Sequence, residues 1–294
     1  MIRLAYEIFG DGPTILLVHG GAEDAAMLAP QALALAATGW RAVVYDRRGT
    51  GASTRDGWPG GGVDQHADDA ADLIRELARV PSAFGGSGSA SGSGSPSAPG
   101  APGAPGAPGR SGPVTVLGFS SGGVVAMALA GRHPDLVAEA IAWEPAAIGV
   151  LPDGAAAHAE IMKPIEEYTA RRPGDWTGAY HRALEVLSGG TADLTDPAVI
   201  RSAVNAEAFV RDDARLITSH PFAAADLPPD RITVAVGAGT SPLHRLIADR
   251  LAEWADLPVT TVAGADDHEV HLSRPEVLAT HLAERAARAG GPVS

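Results

Sequence analysis

The 294-residue chain has no cysteine, which excludes a disulfide framework, a thiol nucleophile and a cysteine-based metal site. No apolar run is long enough to span a bilayer, and the first residues, Met1–Glu7, lack the apolar core of a signal peptide. Positive charge is scarce, because 22 Lys and Arg stand against 35 Asp and Glu, for a formal charge of -13. That balance argues against binding nucleic acid or an anionic membrane through bulk electrostatics. We therefore expect a cytoplasmic protein with no nucleic-acid or membrane partner.

Apolar residues, in contrast, are plentiful, and the 45% hydrophobic content suits one large domain, or one domain that carries a subdomain. One segment differs from the rest. Phe84–Gly112 is almost wholly Gly, Ser, Ala and Pro, and it includes a repeated Ala-Pro-Gly unit. Such a segment cannot bury enough apolar surface to offset its ordering entropy, so we predict a disordered surface loop and assign it no chemistry.

Short apolar runs, typical of strands covered on both faces, alternate with helical patterns along the rest of the chain. The predicted strands are Ile2–Phe9 at an edge, Thr14–Val18, Arg41–Tyr45, Pro113–Leu117, Val137–Trp143, Ile232–Val236 and Val259–Val262. This alternation predicts an α/β fold with a mostly parallel twisted sheet and helices on both faces. Pro152–Leu227 has no strand pattern and is predicted to form several short helices.

The stretch Gly118–Gly122, Gly-Phe-Ser-Ser-Gly, lies between a predicted strand and a predicted helix and is called the elbow below. Small residues on both sides of Ser120 permit a sharp, strained turn that lifts its hydroxyl clear of the sheet, at the positive end of the helix. A serine hydroxyl alone is a poor nucleophile, so this interpretation requires a histidine base and an acid elsewhere. The competing interpretation is a glycine-rich turn in which Ser120 only caps the helix.

Three further motifs follow other predicted strands. They are His19-Gly20-Gly21, Tyr45–Ser53, and Gly264–His268 with Pro275 opening the final helix seven residues later. Together with the elbow they make the chain resemble the serine α/β-hydrolases, and the resemblance covers nearly everything except Phe84–Gly112 and, more loosely, the helical segment. It implies the α/β-hydrolase fold, with a core over residues 1–150 and 229–294, a helical lid over residues 151–228, and neither cofactor nor metal.

The resemblance also implies roles for residues at the matched positions. Ser120 is the expected nucleophile, and His268 is the expected general base that takes its proton. The backbone N–H groups of Gly21 and Ser121 are the expected donors to the oxyanion, with Ala22 as a further possibility beside Gly21.

The acid departs from the commoner family pattern, which places an aspartate just beyond the strand at Ile232–Val236. The residues there, Gly237–Pro242, include no carboxylate. Glu144 ends the strand after the elbow helix, and the carboxyl ends of parallel strands share one edge of the sheet. Glu144 is therefore the predicted acid, and Asp266 or Asp267 is the alternative.

Residues around these positions are expected to support the site. Asp46, Arg47 and Arg48 are interpreted as braces that hold its base through ion pairs, and His19 as a residue that shapes the oxyanion loop. Phe119 is expected to line the pocket or to pack behind the nucleophile.

Two alternatives concern the last loop and the lid. Asp266–His271 clusters oxygen and nitrogen atoms and could hold a metal instead, although the sequence shows no third, distant ligand group. Aromatic residues of the lid could line an apolar acyl or alcohol site or could form lid core; these are Trp176, Tyr180, Phe209 and Phe222.

The expected activity is hydrolysis of an ester or related acyl bond of a small molecule through an acyl-enzyme on Ser120. The same triad would also serve acyl transfer, carbon–carbon bond hydrolysis or cofactor-free perhydrolysis. A rival from another class is a hydrolase-like protein that only binds a small molecule, which the intact pair of Ser120 and His268 argues against. The sequence does not specify the substrate or the oligomeric state.

Overall fold

The computed structural model describes residues 3–79 and 112–289 of the chain. The predicted loop Phe84–Gly112 lies outside the described residues, apart from Gly112. The described strands form one sheet in the order β1-β3-β2-β4-β5-β6-β7. They are β1 (Tyr6–Phe9), β2 (Thr14–Val18), β3 (Arg41–Tyr45), β4 (Val114–Phe119), β5 (Val137–Trp143), β6 (Ile232–Gly237) and β7 (Val259–Val262). Only β1 pairs antiparallel, with β3, so the predicted mostly parallel sheet is confirmed.

Helices cover both faces of this sheet, as predicted. They are α1 (Ala25–Ala37), α2 (Gly62–Arg79), α3 (Ser121–Arg132), α4 (Gly154–Arg171), α5 (Trp176–Leu187), α6 (Pro197–Ser202), α7 (Ala206–Ala208), α8 (Pro242–Ala255), α9 (Val270–Ser273) and α10 (Pro275–Ala289). Helices α1 and α10 bury apolar residues against one face, and α2, α3 and α8 do so against the other. No helix in the two described ranges combines the length and the hydropathy that crossing a membrane requires.

Between β5 and β6 the described chain is helical and contains no strand. Helix α7 continues as a π-helix over Phe209–Ile217, and this π-helix packs with α4 and α5 around a separate apolar cluster that includes Met162 and Val210. A second cluster joins Tyr180 of this segment to Ala22 in the loop after β2. The helical segment therefore covers the carboxyl edge of the sheet, while its division from the core at residues 151–228 stays a prediction.

Element bounds differ from the sequence patterns where backbone pairing, rather than hydropathy, decides them. Of the predicted strand Ile2–Phe9, the described residues, from 3 onward, form a strand only over Tyr6–Phe9, which pairs with β3. Strand β4 runs on to Phe119, and α3 begins at Ser121. As a result, Ser120 alone separates the strand from the helix.

Candidate active site

Ser120 has φ 52° and ψ -116°, a conformation that costs energy in any residue with a side chain. Its flanking glycines make the turn possible. A Cβ on Gly118 would lie 2.2 Å from the carbonyl oxygen of Gly122, and a Cβ on Gly122 would lie 2.2 Å from the carbonyl oxygen of Val18. The Ser120 side chain makes no capping hydrogen bond to α3, so the capping interpretation is wrong.

Glu144 lies beside the elbow because β4 and β5 pair in register. Phe119 is opposite Trp143, so Ser120 and Glu144 are the first residues beyond the paired ends. The N–H of Ser120 donates to the carbonyl of Trp143 at 3.0 Å, and the N–H of Glu144 donates to the carbonyl of Ala235 at 2.8 Å. Glu144 is fully buried, and its φ of 38° turns the chain sharply at the end of β5.

His268 follows β7 and makes direct contact with this buried carboxylate. Its Nδ1 lies 2.7 Å from Oε2 of Glu144, and Oε1 of the same carboxylate accepts a hydrogen bond from the N–H of Gly237 at 3.0 Å. The indole N–H of Trp143 donates to the carbonyl of His268 at 2.9 Å, which ties the loop to the core. The His268 side chain is still 28% exposed, so the ring is anchored at its Nδ1 edge and accessible elsewhere.

The alternative acids face a different group. Oδ2 of Asp266 lies 3.1 Å from Nη2 of Arg274, Oδ2 of Asp267 lies 3.9 Å from the same nitrogen, and the two acidic side chains are 67% and 48% exposed. Neither aspartate belongs to a group of candidate metal ligands among the described residues, so the stretch Asp266–His271 does not bind as one set. The geometry favours Glu144 over both aspartates.

Three carboxylates determine the charge on His268. Burial lowers its pKa, but the hydrogen bond with Glu144 and the charges of Glu269, Glu144 and Glu23 outweigh burial and raise the pKa above 6.5. Burial raises the pKa of Glu144, but hydrogen bonds from His268 and from the N–H of Gly237 hold it well below its usual range. An ionised carboxylate on Nδ1 keeps the proton there and stabilises the imidazolium.

His19 shapes the loop after β2, as expected. It is fully buried, its Nδ1 lies 2.8 Å from the carbonyl oxygen of Gly20, and its Nε2 accepts the N–H of Arg47 at 3.1 Å. Burial and the charge of Arg47 lower the pKa of His19 to about 3, so the ring is neutral. The N–H of Gly20 donates to Oε2 of Glu23 at 2.8 Å and is therefore occupied.

The expected oxyanion donors lie in this loop and at the start of α3. Within the part of the chain that the structure describes, the N–H groups of Gly21, Ala22 and Ser121 donate no hydrogen bond. Ala22 is buried with φ 62°, and Phe209 packs so closely on Gly21 that a Cβ there would lie 2.8 Å from the ring. Free donors are what a developing oxyanion requires, and this role stays a prediction.

A buried pair that no sequence motif indicated links the loop after β2 to the segment after β7. Nε2 of His271 lies 2.9 Å from Oε1 of Glu23, and the His271 ring stacks on Phe119 with centroids 4.1 Å apart. Phe119 is fully buried, which favours the expectation that it packs behind Ser120, and its place in the pocket lining stays a prediction. The only sequence signal for His271 was its place near His268, which suggested a metal ligand instead.

The π-helix supplies a second buried partner that the sequence did not reveal. Oδ1 of Asp213 lies 2.6 Å from Nη2 of Arg47 and accepts a hydrogen bond from Oγ of Ser121 at 2.7 Å. Nη2 of Arg47 also donates to the carbonyl of Gly20 at 3.0 Å. The elbow, the loop after β2 and the π-helix therefore share one buried charge network, and Arg47 braces this region through an ion pair, as expected.

Replacing Asp213 by asparagine should lower the free energy of unfolding by about 3–5 kcal/mol, because the buried Arg47 guanidinium loses its counter-charge. Denaturant unfolding followed by circular dichroism measures the change. The matched control is Glu185→Gln, which removes an ion pair with Arg182 between side chains that are 42% and 44% exposed. That control should lose less than about 1 kcal/mol. Equal losses in the free energy of unfolding would mean that the buried pair of Asp213 and Arg47 stabilises the fold no more than an exposed ion pair does.

The aromatic residues predicted for the substrate site lie in two layers. Tyr180 and Phe209 lie against the loop after β2, where Tyr180 packs with Ala22. Their ring centroids are 5.2 Å apart, and the ring planes meet at 73°. Trp176 lies farther out, in the wall of a groove of about 320 Å³ between α4 and the π-helix. No residue of the predicted triad lines that groove. Of the four aromatics, Tyr180 and Phe209 thus contact the loop after β2, Trp176 packs beside them and lines the outer groove, and Phe222 belongs to the core cluster of the sheet. Their contact with substrate stays a prediction.

Glu23, Glu269 and His271 place one ligand atom each within 4.8 Å of one another, a spacing that could suit a metal. Both oxygens of Glu23 are already engaged, one by the N–H of Gly20 and one by His271. The Glu269 side chain is 56% exposed, yet desolvation by the surrounding protein and the charge of Glu23 raise the pKa of its carboxyl group. Hydrogen bonds within the protein therefore already account for the Glu23 carboxylate of this cluster.

Known proteins resemble this chain in sequence over most of its length. The sequence model of the alpha/beta hydrolase family matches residues 15–281. An uncharacterized hydrolase of Bacillus subtilis, YraK, is 32% identical over 168 residues, which are 56% of this chain and 47% of that protein. The chain therefore spans about half the length of the curated relative that it matches.

Solved structures agree with the fold. An alpha/beta hydrolase from Sphaerobacter thermophilus has a TM-score of 0.65 at 20% identity and covers 96% of both chains. A thermophilic esterase from Thermogutta terrifontis has a TM-score of 0.58 at 22% identity, over 99% of this chain and 95% of the esterase. A structure from work on carboxylesterases of Nitrososphaera gargenis has a TM-score of 0.60 at 16% identity, over 98% and 95%. At such identities the similarity shows the fold.

Proposed function

Because the chain belongs to the alpha/beta hydrolase family, we propose that it is a serine hydrolase that cleaves a carboxylic ester or related acyl bond of a small molecule. One observation carries the proposal. Nδ1 of His268 lies 2.7 Å from the buried carboxylate of Glu144, at the sheet edge where Ser120 is held in a strained turn. A nucleophile, a base and an orienting acid are what acyl transfer through serine requires.

In the proposed reaction, Oγ of Ser120 attacks the substrate carbonyl carbon while Nε2 of His268 takes its proton. Glu144 stabilises the imidazolium, and the N–H groups of Gly21 and Ser121 donate to the oxyanion. Collapse of the tetrahedral intermediate breaks the bond to the leaving alcohol, which takes the proton from His268. A water molecule deprotonated by His268 then attacks the carbonyl carbon of the acyl-enzyme. The second tetrahedral intermediate collapses, which releases the acid, and Oγ of Ser120 regains its proton from His268.

The test uses the wild-type protein with a fluorophosphonate probe and a series of p-nitrophenyl esters of increasing acyl length. The probe should label Ser120, located by mass spectrometry of peptides, and labelling should stop ester hydrolysis. The dependence of kcat/KM on acyl length then reports the depth of the site beside Tyr180 and Phe209. Folded protein that is neither labelled nor active would favour the rival, a hydrolase-like binding protein.

The proposed base leads to a pH dependence with a definite sign. His268 must be neutral to take a proton, and its pKa is raised above 6.5 by the hydrogen bond with Glu144 and by nearby carboxylates, against the effect of burial. We expect kcat/KM to be lost as pH falls through a pKa above 6.5 and to be full at higher pH. Rates from about pH 5 to about pH 9 at constant ionic strength measure it. An acid limb with its midpoint below 6.5 would contradict this assignment.

A further inference from the structure

A second imidazole, that of His244, lies face to face with the ring of His268. The ring centroids are 4.3 Å apart, and the planes differ by 8°. His244 belongs to the first turn of α8, directly after the loop Gly237–Ser241 that carries no carboxylate. Its Nδ1 lies 3.6 Å from Oε2 of Glu144 and 3.0 Å from Oγ of Ser241. The reaction described above gives this second ring no role.

A shared metal ion does not explain the contact, although Glu144, His244 and His268 place one ligand atom each within 4.8 Å of one another. Histidine binds a metal through a lone pair in the plane of its ring. The lone pairs of two nearly parallel, stacked rings with centroids 4.3 Å apart do not meet at a common ion. Oε2 of Glu144 is also engaged by Nδ1 of His268 at 2.7 Å. The two histidines therefore interact through their faces.

His244 is neutral at neutral pH. Burial and the charge of His268 lower its pKa to about 4, against the opposing charge of Glu144, and the positive end of α8 acts in the same direction as burial. Oγ of Ser241 accepts the backbone N–H of His244 at 3.2 Å and can donate its own proton to Nδ1. An Nδ1 that accepts this proton cannot donate to Glu144, which leaves the carboxylate to His268.

Two hydrogen bonds anchor His268, but neither of them fixes the tilt of its ring. Nδ1 is held by Glu144, and the backbone carbonyl is held by the indole N–H of Trp143, but the side chain is 28% exposed. The ring can still tilt about its anchored Nδ1 edge, and such a tilt moves Nε2 away from its target. A flat partner over one face opposes that tilt. The same face offers π electrons to a protonated imidazole.

We propose that His244 is a positioning residue, whose ring confines His268 to the orientation that reaches Ser120 and stabilises the imidazolium formed during the reaction. This inference rests on the proposed function of Ser120 and His268. His244 acts through His268, so it should influence the rate of the chemical step more than the binding of substrate.

The test compares His244→Phe with His244→Leu, because both side chains are apolar and only phenylalanine is a flat ring. We expect the leucine variant to lower kcat for a p-nitrophenyl ester about 10- to 100-fold with KM within about two-fold, since a misplaced base slows the chemistry. The phenylalanine variant should keep kcat within about three-fold of wild type. Leu246→Ala is the matched control, at a 56% exposed position of the same helix, and should leave both constants unchanged.

Equal kcat values for the phenylalanine and leucine variants would overturn the inference, whether both match wild type or both fall, because the flat ring would then make no difference. Fluorophosphonate labelling of the wild type, run in parallel, identifies a failure of the proposed function. An unlabelled and inactive wild type overturns both proposals. A labelled, active wild type with equal variants overturns only the role of His244.

Discussion

Replacing Ser120 by alanine is expected to lower kcat by roughly six orders of magnitude, because no other group in the proposed mechanism can form the acyl-enzyme. The oxyanion donors at Gly21 and Ser121 would remain, so a small residual rate above that in water is expected. Alanine is no more strained than serine at φ 52°, so the fold should persist. Initial rates with the best ester of the series, together with circular dichroism, measure both points.

The matched control is Ser121→Ala, which removes the neighbouring hydroxyl and keeps the backbone N–H. Oγ of Ser121 donates to Asp213 at 2.7 Å, so its loss should affect stability more than chemistry. This variant should still be labelled by the fluorophosphonate, and Ser120→Ala should not. Undiminished turnover by Ser120→Ala would mean that the nucleophile lies elsewhere.

The change Glu144→Gln should lower kcat by about four orders of magnitude while the protein stays folded. Glutamine has nearly the same shape, and its amide oxygen can still accept the N–H of Gly237. It carries no charge to stabilise the imidazolium of His268, and its amide group favours the wrong tautomer of the ring. Steady-state kinetics and denaturant unfolding of the purified variant separate lost chemistry from lost structure.

Asp267→Asn provides the control for this charge removal, because Asp267 is a carboxylate of the same loop that lies 3.9 Å from Arg274 at the surface. It should keep kcat within about two-fold of wild type, as surface charge changes usually do. Near wild-type turnover by Glu144→Gln, together with a large loss of kcat in Asp267→Asn, would instead identify Asp267 as the acid of the triad.

The elbow and the sheet could be predicted from the sequence because each depends on residues that are neighbours in the chain. Alternating apolar runs determine the strands, and the glycines at 118 and 122 permit the turn that Ser120 occupies. Glu144 could also be predicted, since strand ends share one sheet edge and the loop Gly237–Pro242 has no carboxylate. Its 2.7 Å contact with His268 agrees with that reasoning.

The supporting contacts could not be predicted, because they join segments that are distant in the chain and follow no local pattern. Asp213 contacts Ser121 across 92 positions, and a π-helix, which has no recognised signal in the sequence, aims its carboxylate inward. The stacking of His244 on His268 depends on the path of the loop that connects β6 to α8.

The strained backbone at this site limits which substitutions could stabilise the protein without loss of activity. Among the described residues, four non-glycine residues have φ in the left-handed region: Ala22, Ser120, Glu144 and Asp256. The first three lie at the site, and each such conformation costs about 1–3 kcal/mol. Glycine would relax any of them, but at Ser120 and Glu144 it would also remove a side chain that the proposed chemistry needs. Selection for heat resistance alone would therefore favour glycine, and with it an inactive protein, at Ser120 and Glu144, whereas glycine at Ala22 or Asp256 would relieve the strain without loss of a reacting group.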